Sequence, residues 1–258
     1  LSKILGPRRH DFIIGTKGGI QWKETSNSRA KTFKNSSPDY IHECVNKSLK
    51  RLKIDVIPVY YIHWPDPKTR ISQTFEVLQK LVDQGKIKYL GCSNFNLNQI
   101  KEASQVAKLS FIQMPVNILN SPLPQSYSEF CKTQSIKIVA YNTLASGLLS
   151  GKYNANSTFS KNDRRSRLED FKKHNLRIVE GELNKLKHEA NKENLSLAQY
   201  SIKIILKDLN IESAIVGIKN KDQAIEAIEV INNRFNNYNL DFIYGRQYQS
   251  TSEWREEL

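Results

Sequence analysis

Residues Val56 to Asp66 constrain the fold more than any other stretch. The run Val56-Ile57-Pro58-Val59-Tyr60-Tyr61-Ile62 is apolar, β-branched and aromatic, which reads as a buried strand, and it stops abruptly at His63-Trp64-Pro65-Asp66. Pro58 is tolerable near the start of such a strand. An apolar strand that ends in an ionisable side chain, with a Pro behind it forcing the chain into a loop, is how an α/β barrel presents a reactive group at its carboxyl face. A second short apolar run, Asp11 to Thr16, ends in the same way at Lys17, followed by Gly18 and Gly19. The expectation is that Lys17 and His63 face one pocket.

Around these two strands the chain alternates strand and helix. After a polar loop, Gln21 to Asn35, Ser37 and Pro38 open an amphipathic helix in which Ile41, Cys44, Val45, Leu49 and Leu52 form one apolar stripe. A helix carrying Phe75, Leu78 and Leu81 stops at Gly85, and Asn96 caps another with Ile100 and Ala103. Strands are expected near Ile13, Tyr60, Leu90, Gln113, Val139 and Val216, with helices over Tyr127 to Gln134, Glu180 to Glu193 and Leu197 to Lys207. A final amphipathic helix follows Asn220, after which the tail turns polar. This is the rhythm of parallel βαβ units. The 258 residues suit a single domain over 1–258.

Several functions are disfavoured by the residues themselves. No Gly-rich turn follows the first strand, so an open dinucleotide-binding sheet is not indicated. Gly147 to Tyr153 falls one residue short of a phosphate loop and carries Tyr153 where Ser or Thr must bind magnesium. The histidines lack metal-ligand spacing, so no metal is expected. A formal charge of +13 raises nucleic acid or an anionic membrane as partners, but Lys and Arg are interleaved with Asp and Glu on helical patterns and no uninterrupted basic block occurs. Neither partner is expected. Cys44, Cys92 and Cys131 are far apart and in apolar contexts, as reduced core thiols in the cytoplasm would be. No run has the length of a membrane span.

Gly15-Thr16-Lys17-Gly18-Gly19, His63-Trp64-Pro65-Asp66, Gly91-Cys92-Ser93-Asn94-Phe95, Gln113, Tyr141 to Tyr153, and Ile215 to Asn220 with Gln223 follow one another in an order and spacing that resemble the aldo-keto reductase family over nearly the whole chain. The resemblance implies a (β/α)8 TIM barrel that binds NADPH at the carboxyl ends of its strands and reduces aldehydes or ketones. It implies a Tyr general acid whose pKa is lowered by Lys17, with His63 orienting the substrate carbonyl. Ser93, Asn94 and Gln113 would hold the nicotinamide carboxamide and Tyr141 would stack on the ring. Leu144, Ser146, Gly147, Leu148 and Gly217 are implied cofactor contacts. Lys219 with Arg165, or with Arg164 or Arg167, would meet phosphate, and Gln223 the adenine end.

In that family the catalytic Tyr and its Asp lie upstream of the Lys strand, and only 16 residues precede Lys17 here. The first two barrel strands and the Tyr are therefore expected before Leu1. The alternative is a cofactor-binding regulatory protein of the same fold without turnover. Tyr61 shares a strand face with His63, but core packing is its expected role. The substrate is not named by any of these residues.

Overall fold

A computed structural model of the chain describes residues 13–23, 31–161, 163–207, 211–218 and 239–242. It groups them into two compact units. One runs through Met114 and takes in Gln125–Val139; the other takes in Pro115–Pro124 and Ala140–Phe242.

In the first unit, β1 (Gly15–Gly18), β4 (Ile57–Ile62), β5 (Ile87–Ser93) and β6 (Leu109–Pro115) lie side by side and parallel, in that order. Parallel neighbours require crossovers, and α1 (Pro38–Leu52), α2 (Ile71–Asp83) and α3 (Leu97–Val106) provide them. Each helix begins and ends for a local reason. Pro38 starts α1 without losing a hydrogen bond, although the Ser37 side chain makes no cap bond. Gly85 follows α2 at φ +73°, and Asn96 with Gln99 forms a reciprocal capping box on α3. Ile41, Val45, Phe75, Leu78, Leu81, Ile100 and Ala103 are the buried stripe of these helices, and Ile57, Tyr60, Ile62, Ile87 and Leu90 are the strand side of the core. α4 (Gln125–Thr133) and β7 (Lys137–Tyr141) follow.

Two expectations about this unit need correction. The first strand begins at Gly15, so Lys17 lies inside it; Ile13, within the apolar run, is 85% exposed. The segment read as a polar loop contains an antiparallel pair, β2 (Ile20–Lys23) and β3 (Lys31–Lys34), in which Trp22 faces Thr32 and Gln21 faces Phe33. Alternation of large and polar residues, not mean polarity, was the informative signal there.

The second unit is built on a different core. Short 3-10 turns at Ala145–Ser150, Arg164–Arg167 and Glu169–Phe171 lead into α5 (Lys173–Lys192) and α6 (Leu197–Leu206). Ala145, Leu148, Leu149, Phe171, Leu176, Leu183 and Leu197 are its buried centre. α5 starts seven residues before the expected Glu180, because Leu176 and Leu183 keep the apolar stripe going through a charged stretch. β8 (Ile211–Ile218) pairs in parallel with β9 (Asn239–Phe242). β9 was not expected: Asn-Leu-Asp-Phe has too few apolar residues to stand out in a polar tail. Asp11, Phe12, Lys219, Gln223 and the helix expected after Asn220 lie outside the described residues.

Candidate active site

Strand register assembles the first group of side chains. Lys17 is level with Tyr61, Tyr61 with Gly91, and Gly91 with Phe111. Two residues further towards the carboxyl ends, Ser93 is level with Gln113, and His63 leaves β4 with its N–H bonded to the Gly18 carbonyl at 2.9 Å. Side chains two apart share a face, so Tyr61 and His63 lie on the side of the sheet that Lys17 occupies. Lys17 Nζ is 5.8 Å from the centre of the Tyr61 ring. Burial, reinforced by the Lys17 charge, holds the His63 imidazole below its ordinary 6.5. The structure thus brings Lys17 and His63 together.

Tyr61 packs in the core, only 5% exposed. Its ring leans over Gly91, where an added Cβ would lie 2.5 Å from ring carbons, so the glycine is required by close approach. Burial pushes its hydroxyl up to about 12, against a hydrogen bond from Gln113 that lowers it. On the opposite face Tyr60 uses Gly18 in the same manner, its hydroxyl seated where a side chain would be.

Ser93 and Gln113 are polar yet almost fully buried, 2% and 6% exposed, and adjacent in register. Next to them Asn94 sits at φ +63° and donates its side-chain N–H groups to the His63 carbonyl (2.9 Å) and to Ser93 Oγ (3.1 Å). Three buried or half-buried groups able to donate and accept, gathered at strand ends, fit a planar amide such as a nicotinamide carboxamide.

In the second unit Tyr141 ends β7 half-buried. Burial raises its hydroxyl above the ordinary value, and the nearby Arg164 charge opposes that. The turn that follows is tightly specified: Asn142 Oδ1 accepts from the Ser146 N–H (2.8 Å) and hydroxyl (3.1 Å), and Ser146 and Gly147 take positive φ of 56° and 107°. Thr143 donates to the Ile215 carbonyl at 2.9 Å, tying this turn to β8 two residues before Gly217. The Leu148 side chain is in the core and Leu144 packs against it, so any contact Leu148 offers a ligand is through its backbone. Arg165 is engaged within the protein. Its guanidinium pairs with the Asp163 carboxylate and lies 4.8 Å over the Tyr153 ring and 5.1 Å over Phe159. Arg164 and Arg167 are exposed.

Sequence reasoning passed over Asp66. Its carboxylate accepts from Ser36 N–H (3.0 Å), Lys68 N–H (3.0 Å) and the Thr69 hydroxyl (2.8 Å), fastening the His63 loop to the end of β3. Burial alone would raise its pKa; these three donors outweigh it and hold the carboxyl low. An Asp directly after Pro with Thr three residues on is a turn signal, which accounts for the local bonds to Lys68 and Thr69 but not for the one to Ser36. Among the described residues no His, Cys, Asp and Glu cluster fits a metal, and no helix is long and apolar enough to cross a membrane.

The family model described as Aldo/keto reductase family matches residues 1–244. Aldo-keto reductase YhdN of Bacillus subtilis (strain 168) is 32% identical over 225 residues, 87% of this chain and 66% of its own length. The NADH-specific methylglyoxal reductase of Escherichia coli (strain K12) is 34% identical over 151 residues, 55% of this chain and 46% of its own. The chain therefore spans two thirds or less of these relatives. The glycerol dehydrogenase AKR11B4 from Gluconobacter oxydans superposes with a TM-score of 0.72 at 27% identity, covering 92% of this chain and 75% of that one. The likeness gives the chain the α/β fold class expected from its strand and helix rhythm.

Proposed function

The chain belongs to the aldo/keto reductase family, and from that premise we propose that the protein reduces an aldehyde or ketone to the alcohol with NADPH. The observation that carries the reading is the meeting of Lys17, His63, Ser93, Asn94 and Gln113 at the carboxyl ends of adjacent parallel strands. When bound, the dihydronicotinamide supplies the hydride.

The chain's own residues do the rest. Ser93, Asn94 and Gln113 hold the carboxamide and fix which ring face is presented. Tyr141 is proposed to lend an aromatic surface, and the backbone of Leu144, Ser146, Gly147, Leu148 and Gly217 further cofactor contacts. Arg164 is the phosphate contact we favour, because Arg165 is held by Asp163 and two rings; Lys219 and Gln223 are proposed for the phosphate and adenine ends. A neutral His63 can donate its N–H to the carbonyl oxygen at neutral pH, since its pKa is lowered. Lys17 keeps a positive charge beside that oxygen. The proton donor in this reading is the Tyr that the family resemblance implies, with Lys17 lowering its pKa. Tyr61 is a poor substitute, being buried with its hydroxyl pushed up to about 12. The free thiols Cys44, Cys92 and Cys131 accord with work in the reducing cytoplasm.

The test is titration with NADPH and with NADH, following nicotinamide fluorescence, alongside turnover of an aldehyde and ketone panel. Saturable NADPH binding abolished by Gln113→Ala is expected. Absence of binding to either nucleotide overturns the reading. Binding by the natural full-length protein without turnover of any carbonyl would favour the regulatory alternative.

A further inference from the structure

We infer that Lys34 and Trp64 make the entrance beside His63 select carbonyl compounds that carry a carboxylate or a phosphate. The inference rests on the reading of the Lys17 and His63 site as a carbonyl site, and adds the class of substrate. Trp64 follows His63 directly and remains 40% exposed. Lys34, at the end of β3, places its ammonium 5.1 Å from the Trp64 ring centre. Lys34 is an exposed side chain, but the backbone just beyond it is fastened. Two residues beyond Lys34, the Ser36 N–H is bonded to Asp66 of the His63 loop, and the Thr74 hydroxyl donates to the Ser36 carbonyl at 2.8 Å. Directly after Lys34, the Asn35 N–H donates to the Gly19 carbonyl at 3.0 Å.

The described strands of the hairpin carry charge of one sign. The described residues of the β2 and β3 pair hold Lys23, Lys31 and Lys34 and no carboxylate, and Lys23 stands directly opposite Lys31. Like charges paired across strands destabilise the pair. Among the described residues no carboxylate forms an ion pair with Lys34. The nearest acid along the loop, Asp66, is an anion whose carboxylate is turned to two backbone N–H groups and a hydroxyl rather than to Lys34. Lys17 adds a further positive charge on the His63 side. An ammonium held over an aromatic face, with Trp22 on the same face of the hairpin as Lys34, suits a small anion attached to a short carbon chain.

Alcohol products are used as probes, since they form no imine with lysine. Binding of 4-hydroxybutyrate against 1,4-butanediol, and of glycerol 3-phosphate against glycerol, is measured on the full chain by ligand-observed NMR at low salt. In at least one pair the anion is expected to bind about two- to fivefold tighter, as an exposed charge pair allows. The pair that shows the advantage distinguishes carboxylate from phosphate. Lys34→Met removes it and leaves the neutral member unchanged, Lys34→Arg keeps it, and Lys132→Met, at an exposed position of α4, keeps it too. An equal affinity within both pairs, or an advantage that survives Lys34→Met, overturns the inference; the second result would assign anion binding to the diffuse net charge of +13. These probes need neither NADPH nor turnover. Failure of nucleotide binding would thus count against the proposed reductase function and leave the Lys34 result to be judged by itself.

Discussion

Asn94 donates a side-chain N–H to the backbone carbonyl of His63 at 2.9 Å, joining the loop after β5 to the loop after β4. The residue proposed to touch the carboxamide therefore also fixes the strand end that carries the imidazole. Its φ of +63° means that substitution acts on the backbone as well. Asn94→Ala loses the bonds to His63 and Ser93 and keeps a conformation costly for a side chain with a Cβ, so a stability loss of about 1–2 kcal/mol is expected. Asn94→Gly relieves the backbone cost and should be the more stable of the two. Both should weaken NADPH binding to a similar degree. Urea unfolding and NADPH titration of the two variants check this, and an Asn94→Gly chain that binds NADPH like the parent would remove Asn94 from the carboxamide contact.

Gly91→Ala should damage the sheet by crowding alone, since it removes no hydrogen-bonding group. The added methyl would stand 2.5 Å from two Tyr61 ring carbons and 2.8 Å from the Phe111 carbonyl oxygen. The ring can retreat and the backbone oxygen cannot, so a loss of about 1–3 kcal/mol is expected in denaturant unfolding. Combining Gly91→Ala with Tyr61→Leu should cost less than the sum of the two single changes, because the ring clash is shared. Strict additivity would show that the Phe111 carbonyl alone carries the effect.

Much of this geometry was legible because it follows from period and order. The two-residue repeat from Tyr61 to His63, the short apolar run leading to Lys17 and the helical stripes of Ile41, Phe75 and Ile100 are enough to put the catalytic candidates on neighbouring parallel strands, although the strand bounds around Lys17 shift by a few residues. What escaped was set by pairing between distant segments. Trp22 and Phe33 looked like isolated aromatics in a polar loop, since the antiparallel partner of each strand lies beyond the intervening residues 24–30. The engagement of Arg165 was equally hidden. A row of arginines looks uniform in sequence, and only the fold shows that Asp163, Tyr153 and Phe159 take one of them and leave Arg164 exposed. Asp66 was legible as a turn residue and not as a clasp, because its partner Ser36 is 30 residues away.

The pH response of His63 has a defined sign. Its folded pKa lies below 6.5, first through burial and then through Lys17, so as pH falls the unfolded chain takes up this proton before the folded chain does. The stability associated with neutral His63 is complete above about 6.5 and is lost as pH drops through the folded value. Lys17→Met removes the charge and leaves the burial. The His63 midpoint, followed by NMR of its ring protons, should rise in the variant and still remain below 6.5. An unchanged midpoint would show that Lys17 does not act on the imidazole, which would dismantle the paired role assigned to the two residues.

Arg164 and Arg165 are neighbours in sequence with opposite predicted behaviour. Arg165 is 16% exposed at its side chain, bidentate to Asp163 and stacked on Tyr153 and Phe159, which themselves pack with Phe171 at centroid distances of 5.2–5.6 Å. Lysine can keep the charge there but not the planar stack or the fork, so Arg165→Lys should lower stability by about 1 kcal/mol and Arg165→Ala by more. Since the cluster supports the turn after Tyr141, nucleotide affinity should fall only to the extent that unfolding does. Arg164 is exposed, with its charge felt at Tyr141. Arg164→Ala should leave urea unfolding unchanged and weaken NADPH more than NADH, because the 2′-phosphate is the group that separates the two nucleotides. Fluorescence titration of both nucleotides against both variants decides it: equal weakening for NADPH and NADH in Arg164→Ala would move the contact from the 2′-phosphate to the shared pyrophosphate, and no weakening of either would free Arg164 of any role in binding.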